Sequence, residues 1–178
     1  HVLQAVVIAE DDTFFDHDGI NYAAIWEALK HDVKKKRFAR GGSTITQQMI
    51  KNVMLSREKT LRRKVREFVL ARRAEEVLSK RQILEIYLNE VEWGENIYGI
   101  EAASRFYFDK HAQELTPAES ALLAGMLPNP KYYTPFRRRE KARQRQEQVL
   151  FNMQQARVLD EDAYRAALAE PLTLRREG

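Results

Sequence analysis

The chain has 178 residues, no cysteine, and 30 Lys plus Arg against 26 Asp plus Glu. That length supports one domain with a buried core and no staples, and the absence of thiols excludes disulfides, zinc–thiolate sites and thiol nucleophiles while leaving the redox compartment open. The formal charge of +4 is modest but clustered, at Lys34 to Arg37, Arg62 to Lys64 with Arg66, Arg72 with Arg73, and Arg137 to Arg139 running on to Arg143 and Arg145; such patches attract phosphates of nucleic acid, of anionic lipid or of a diphosphate-linked substrate.

No run reaches the roughly 18 apolar residues of a membrane-spanning helix, and no signal-peptide pattern opens the chain. It starts on His1 and turns apolar almost at once, so a piece of a longer, membrane-anchored protein is expected.

Apolar residues recur three and four apart in most segments, and strict alternation over strand length is hard to find, which predicts helices joined by short loops. A first helix carries Leu3, Val6 and Val7 and then Glu10. A second is expected from about Ile20 to Val33, and a third after Gly41-Gly42, with Ser43 as its cap. From Lys59 to Leu78 the residues Leu61, Val65, Phe68, Val69 and Val77 form one apolar face, expected to pack inward. Ile83, Leu84, Tyr87 and Leu88 mark the next helix, and Asn96 to Gly99 a turn. A helix then passes through Ala102, Ala103 and Phe106. Thr116-Pro117-Ala118-Glu119 combines an N-cap, a proline at the first helical position and an acid at the third, and that helix stops near Pro128-Asn129-Pro130. Arg138 through Tyr164 is helical with a break near Leu159-Asp160. With no repeat, low-complexity tract or linker, the expectation is one all-α domain over 1–178.

Four blocks carry chemistry. The first, Glu10 to Gly19, packs acids and His17 at the end of an apolar helix. Glu10 follows Val6 and Val7 by four and three residues, so it shares their face and should be partly desolvated, which raises a carboxyl pKa toward the range of a general base. An acidic, solvated loop is the competing reading. The second, Gly41 to Asn52, offers a glycine-rich helix start whose free N–H groups and side chains Ser43, Thr44, Gln47 and Gln48 suit sugar hydroxyls or phosphate oxygens, with Lys51 one turn beyond Gln47. An ordinary capped helix is the alternative. In the third, Arg63 to Glu67, the carboxylate of Glu67 points away from the Leu61 stripe and shares a side with Arg63, Lys64 and Ala71; an exposed ion pair is the default, though with Glu10 it supplies a second carboxylate among cations. The fourth, Lys80 to Asn89, reads as helix packing.

These four blocks, in this order and spacing, resemble the motifs of the peptidoglycan glycosyltransferases, the modules of class A penicillin-binding proteins and of monofunctional transglycosylases. The patterns are Glu-Asp-x-x-Phe-x-x-His-x-Gly, Gly-Gly-Ser-Thr-Ile-Thr-Gln-Gln, Arg-Lys-x-x-Glu and Lys-x-x-Ile-Leu-Glu-x-Tyr-Leu-Asn. Phe14 and His17 set the frame that makes Glu10 and Asp11 the leading pair. Tyr98-Gly99, Glu101-Ala102-Ala103 and Leu115 to Glu119 extend the likeness, and a fifth motif is matched loosely at Arg145 to Leu150.

The resemblance implies a mainly helical, lysozyme-like domain with a large lobe and a small membrane-proximal lobe around a cleft. It implies an enzyme that polymerises lipid II onto a growing lipid-linked glycan at an anionic membrane surface, on the extracytoplasmic face of a bacterial inner membrane, without nucleic acid and alongside other cell-wall synthesis proteins. Glu10 and Glu67 would be the catalytic carboxylates. Asp11, Phe14, His17, Ser43, Thr44, Gln47, Gln48, Lys51, Lys59, Arg63 and Lys64 would bind substrate. A divalent ion, Mg or Mn, is expected, with Glu67 as a candidate ligand, and no organic cofactor. The competing functions are a lysozyme-type hydrolase or lytic transglycosylase and a non-enzymatic basic helical domain. The remaining tail is too short for a transpeptidase domain.

Overall fold

Helix starts are set by capping residues along most of the chain, and these starts organise the architecture. The computed structural model describes residues 1–26, 42–55 and 60–175. Among them the elements run α1 (Val2–Glu10), a 3₁₀ turn (Phe14–Asp16), a short helical stretch α2 (22–26), α3 (Ile45–Met54), α4 (Leu61–Val77), α5 (Lys80–Glu90), β1 (Glu92–Gly94), β2 (Ile97–Tyr98), α6 (Ile100–Phe108), a 3₁₀ turn (Ala112–Glu114), α7 (Pro117–Met126), α8 (Arg139–Gln155) and α9 (Glu161–Ala169). The chain is mainly helical, as expected. The second expected helix is described only at 22–26; its remainder and the basic run Lys34 to Arg37 lie outside the described residues.

Two compact units divide the chain, His1–Asp12 with Val91–Gly178, and Thr13–Glu90. In the first, α7 is the core. Its Thr116 hydroxyl accepts from the Glu119 amide at 3.2 Å while the Glu119 carboxylate accepts from the Thr116 amide at 2.9 Å, the capping box its sequence announces. Every residue from Ala118 to Met126 is then buried, the mark of a helix covered on all sides. Helices α1 and α8 pack on it. Gly125 is required there, because a Cβ would stand 3.0 Å from the Arg145 carbonyl carbon of α8. The Gln146 amide donates to the Ala118 carbonyl at 2.7 Å across the same contact. The expected break after α8 is present: Arg157 takes a left-handed φ of 59°, and Asp160 caps α9 by accepting from the Ala163 amide at 2.8 Å.

A two-stranded antiparallel hairpin, β1–β2, was not anticipated. It pairs Glu92 with Tyr98 and Gly94 with Ile97, around a turn in which Asn96 has φ 61°. It is too short to show the alternation by which a strand is read. Its Trp93 is fully buried, and the Trp93 carbonyl accepts from the Tyr107 hydroxyl at 3.2 Å.

In the second unit α3 packs on α4 and α5, with Phe14, Ile45, Met49, Ile50, Ala71, Ile83, Leu84, Tyr87 and Leu88 buried. One expectation is overturned here. The face of α4 that carries Leu61, Val65 and Val69 is exposed, by 88%, 63% and 50%, and Val77 further along by 80%. The inward face holds Glu67, Ala71 and Ala74 instead. At about 100° per residue, Glu67 lies roughly opposite the Leu61 stripe, so the stripe was identified correctly and assigned to the wrong side. Small alanines admit close packing of α4, and the burial of Glu67 is balanced by cations described below.

Candidate active site

Glu10 is the last residue of α1 and is half-buried, following buried Ala5, Val6 and Val7. This agrees with the expected partial desolvation, although Leu3 on the same helix is 51% exposed. Asp11 caps the helix, its amide donating to the Val7 carbonyl at 2.8 Å, and is buried. Both residues belong to the first unit. The other site candidates within the described residues belong to the second.

There, the loop from Thr13 to Gly19 is held at both ends. The Phe14 side chain is fully buried, with the half-buried His17 ring edge-on at 6.3 Å. Gly19 has φ +80°, and its carbonyl accepts from the Thr44 hydroxyl at 2.6 Å. Thr44, and not Ser43, is the N-cap of α3. The reason is the reciprocal partner three residues on: the Gln47 amide donates to the Thr44 hydroxyl at 3.1 Å, and the Gln47 side-chain oxygen accepts from the Thr44 amide at 3.0 Å. Thr44 and Gln47 are buried by this arrangement. Their capping atoms are thereby engaged in the start of α3. Ser43 and Gln48 are half-buried and Lys51 is exposed. Gln48 accepts from the Tyr87 hydroxyl of α5 at 3.2 Å.

The third block gives the most concentrated charge. Glu67 is 2% exposed. One of its oxygens accepts from Arg63 at 2.8 Å and the other from Lys64. Lys64 also donates to the Ser43 hydroxyl at 3.0 Å, tying α4 to the start of α3. The expected exposed pair is therefore a buried carboxylate between two cations. The same two bonds bear on its candidacy as a metal ligand: both oxygens are engaged, and no group of three or more His, Asp or Glu able to hold an ion occurs among the described residues. Among the described residues, Glu67 stands as the shared partner of Arg63 and Lys64. Lys59 lies outside the described residues.

Sequence reasoning treated the fourth block as packing alone. Ile83, Leu84, Tyr87 and Leu88 are indeed buried, but Lys80 at its head reaches the first block, donating to the His17 carbonyl at 2.5 Å and to Glu75 at 2.8 Å, with its ammonium 4.5 Å from the centre of the Phe14 ring. The signal in the sequence was a lysine opening an otherwise amphipathic helix, which periodicity passes over.

Comparison with known proteins agrees with this arrangement of blocks. Residues 1–154 match the model of the family described as transglycosylase. Penicillin-binding protein 1A of Aquifex aeolicus is 42% identical over 177 residues, covering 99% of this chain and 24% of that protein. The biosynthetic peptidoglycan transglycosylase of Nitrosomonas eutropha is 44% identical over 158 residues, covering 89% of this chain and 65% of its own length. The chain thus spans from about a quarter to just under two thirds of these relatives. The crystal structure of penicillin-binding protein 1A from Haemophilus influenzae aligns with a TM-score of 0.53 and 26% identity, over 74% of this chain and 16% of that one. With all four blocks falling inside the matched span and relatives above 40% identical over most of its length, the chain belongs to the transglycosylase family.

Proposed function

We propose that residues 1–178 form one peptidoglycan glycosyltransferase domain that polymerises lipid II into β-1,4-linked glycan. Glu10 takes the proton from the 4-hydroxyl of the acceptor's GlcNAc as that oxygen bonds to the anomeric carbon of the donor's MurNAc. The bond from that carbon to the lipid diphosphate breaks with inversion, and the electron pair leaves on undecaprenyl diphosphate. A diphosphate leaves as an anion without being protonated, so its departure depends on nearby positive charge. Lys51, Lys59, Arg63 and Lys64 are assigned that work, and Glu67 orients the last two. Asp11, Phe14, His17, Ser43, Thr44, Gln47 and Gln48 are assigned to holding substrate. The observation that carries the reading is the buried Glu67 carboxylate bonded to Arg63 and to Lys64, which also bonds Ser43, since it offers oriented cations beside the polar start of a helix.

A divalent ion, Mg or Mn, is proposed as a companion of the substrate's diphosphate.

The exposed apolar stripe of α4 supports a membrane-surface location, at the extracytoplasmic face of the inner membrane. Leu61, Val65 and Val69 are flanked by exposed Arg62, Arg66, Arg72 and Arg73, the composition of a helix face that rests on anionic lipid. No helix among the described residues is long and apolar enough to cross a membrane.

The test is turnover of lipid II in detergent, with and without moenomycin. The wild-type chain should form glycan and lose that activity with the inhibitor, and Glu10→Gln should remain folded and form none. Full polymerisation by folded Glu10→Gln rejects the assignment of the base, and degradation of purified glycan by the wild type would point to a hydrolase.

A further inference from the structure

We propose that Glu75 and Lys80 are positioning residues of the glycosyl transfer: their ion pair clasps the loop 13–19 against α3 and α4 and so sets the placement of Phe14 and His17. The proposal rests on the functional reading above and goes beyond its assigned residues.

The pair is not a helix-surface pair of the ordinary i,i+4 kind. Glu75 lies near the end of α4 and Lys80 opens α5, with Leu78 and Ser79 between the two helices. The carboxylate and ammonium meet at 2.8 Å with side chains only 7% and 21% exposed. One oxygen of Glu75 accepts both from Lys80 and, at 2.5 Å, from the hydroxyl of Thr46, a fully buried residue of α3. Lys80 directs a second proton to the His17 carbonyl and faces the buried Phe14 ring. A single carboxylate oxygen therefore joins α3, α4 and α5, and Lys80 carries the link on to the first block.

The far end of the loop meets the same side chain. A Cβ on Gly19 would stand 3.0 Å from Glu75 Cγ and 3.0 Å from the Ala71 carbonyl oxygen. The loop has no regular structure beyond one 3₁₀ turn, so its placement depends on these tethers, on the Gly19–Thr44 hydrogen bond and on burial of Phe14. A largely buried ion pair adds little net stability over well-packed apolar residues, and specifying geometry is the better explanation for one. Misplacement of substrate-positioning groups by about 1 Å costs on the order of 100-fold in rate.

The experiment compares Lys80→Met, Lys80→Arg and Glu75→Gln with the wild type in lipid II turnover, together with thermal unfolding and amide NMR. Lys80→Met should stay folded at the assay temperature and lose about 100-fold in kcat with KM changed less than about threefold. Lys80→Arg, which keeps the charge and donors, should return to within about tenfold of wild type. Glu75→Gln, which keeps an acceptor oxygen and loses the charge, should fall between and covers the case in which Lys80→Met does not fold. A folded Lys80→Met or Glu75→Gln with wild-type kcat overturns the proposal, as does an arginine variant no better than methionine. The amide resonance of Asp18, which shares the His17 peptide group, should move in Lys80→Met and return in Lys80→Arg. That readout judges the clasp even if the wild-type chain turns over no lipid II, an outcome that would instead reject the functional reading; an unmoved Asp18 resonance overturns the clasp.

Discussion

Lys64 reaches the hydroxyl of Ser43 at 3.0 Å while its ammonium also contacts Glu67. Through that one side chain the polar start of α3 and the inward face of α4, 21 positions apart in sequence, share a charge. The cations of the third block are thereby aimed, since Glu67 is held on both of its oxygens, and an aimed cation stabilises a departing anion better than one free to turn into solvent.

Replacing Glu67 tests how the site is held. Glu67→Ala leaves Arg63 and Lys64, whose side chains are 16% and 37% exposed, facing each other without a counter-charge. Breaking a buried pair from one side costs about 3 kcal/mol, reduced here because both cations keep some water. Urea denaturation should show a loss of about 2 kcal/mol, and lipid II turnover should fall in Glu67→Gln even where folding survives. A variant as stable and as active as wild type would contradict the arrangement.

Gly19 offers a backbone test of the first block. Its φ of +80° is costly for any residue with a side chain, and an added Cβ meets backbone on α4 at 3.0 Å. Gly19→Ala should therefore lower stability by about 1–3 kcal/mol, read as a drop in thermal midpoint. It should also depress turnover, since the Gly19 carbonyl anchors Thr44. Rescue is expected from no other L-residue at this position.

Much of the first unit was legible in the sequence because its signals are local. Thr116-Pro117-Glu119 contains its own capping box and was placed without knowledge of neighbours, and the break near Leu159-Asp160 was found, while the helix expected to end at Tyr164 runs on to Ala169. The errors arose where the deciding partner is distant or the element is short. Ser43 and Thr44 are equally good caps by type, and the choice falls to Gln47 as the reciprocal third residue. Periodicity identified the Leu61 stripe but carries no sign; whether a stripe faces core or solvent depends on what the opposite face can bury, and α4 can bury Glu67 because Arg63 and Lys64 lie one turn back. The contact of Lys80 with His17 spans 63 positions, and hydrophobic periodicity carries no sign of it.

That outward stripe leads to a prediction about membranes. Since Leu61, Val65 and Val69 already face solvent, the triple change to serine should leave the thermal midpoint nearly unaltered. Co-sedimentation with anionic phospholipid vesicles should fall sharply, and raising the salt concentration should weaken what binding remains through the flanking arginines. Undiminished vesicle binding by the triple variant would remove α4 as the lipid-facing element.

In the first unit the Glu101 carboxylate accepts from the Ala112 amide at 2.8 Å, and His111 and Arg105 stand beside it at 2.7 and 3.3 Å. The Ala112 bond is the largest influence and, opposed by desolvation and helped by His111 and Arg105, holds the Glu101 pKa below the ordinary carboxylate value. The unfolded chain therefore takes up this proton first as the solution is acidified. The stabilising contribution is complete above the ordinary carboxylate pKa and disappears as pH falls through the lowered, folded value. Glu101→Gln should accordingly differ from wild type in unfolding experiments near neutrality, and the two curves should converge on acidification below about pH 4. A difference that grows toward low pH would carry the wrong sign for a carboxylate stabilised in its charged form by the start of the Ala112–Glu114 turn.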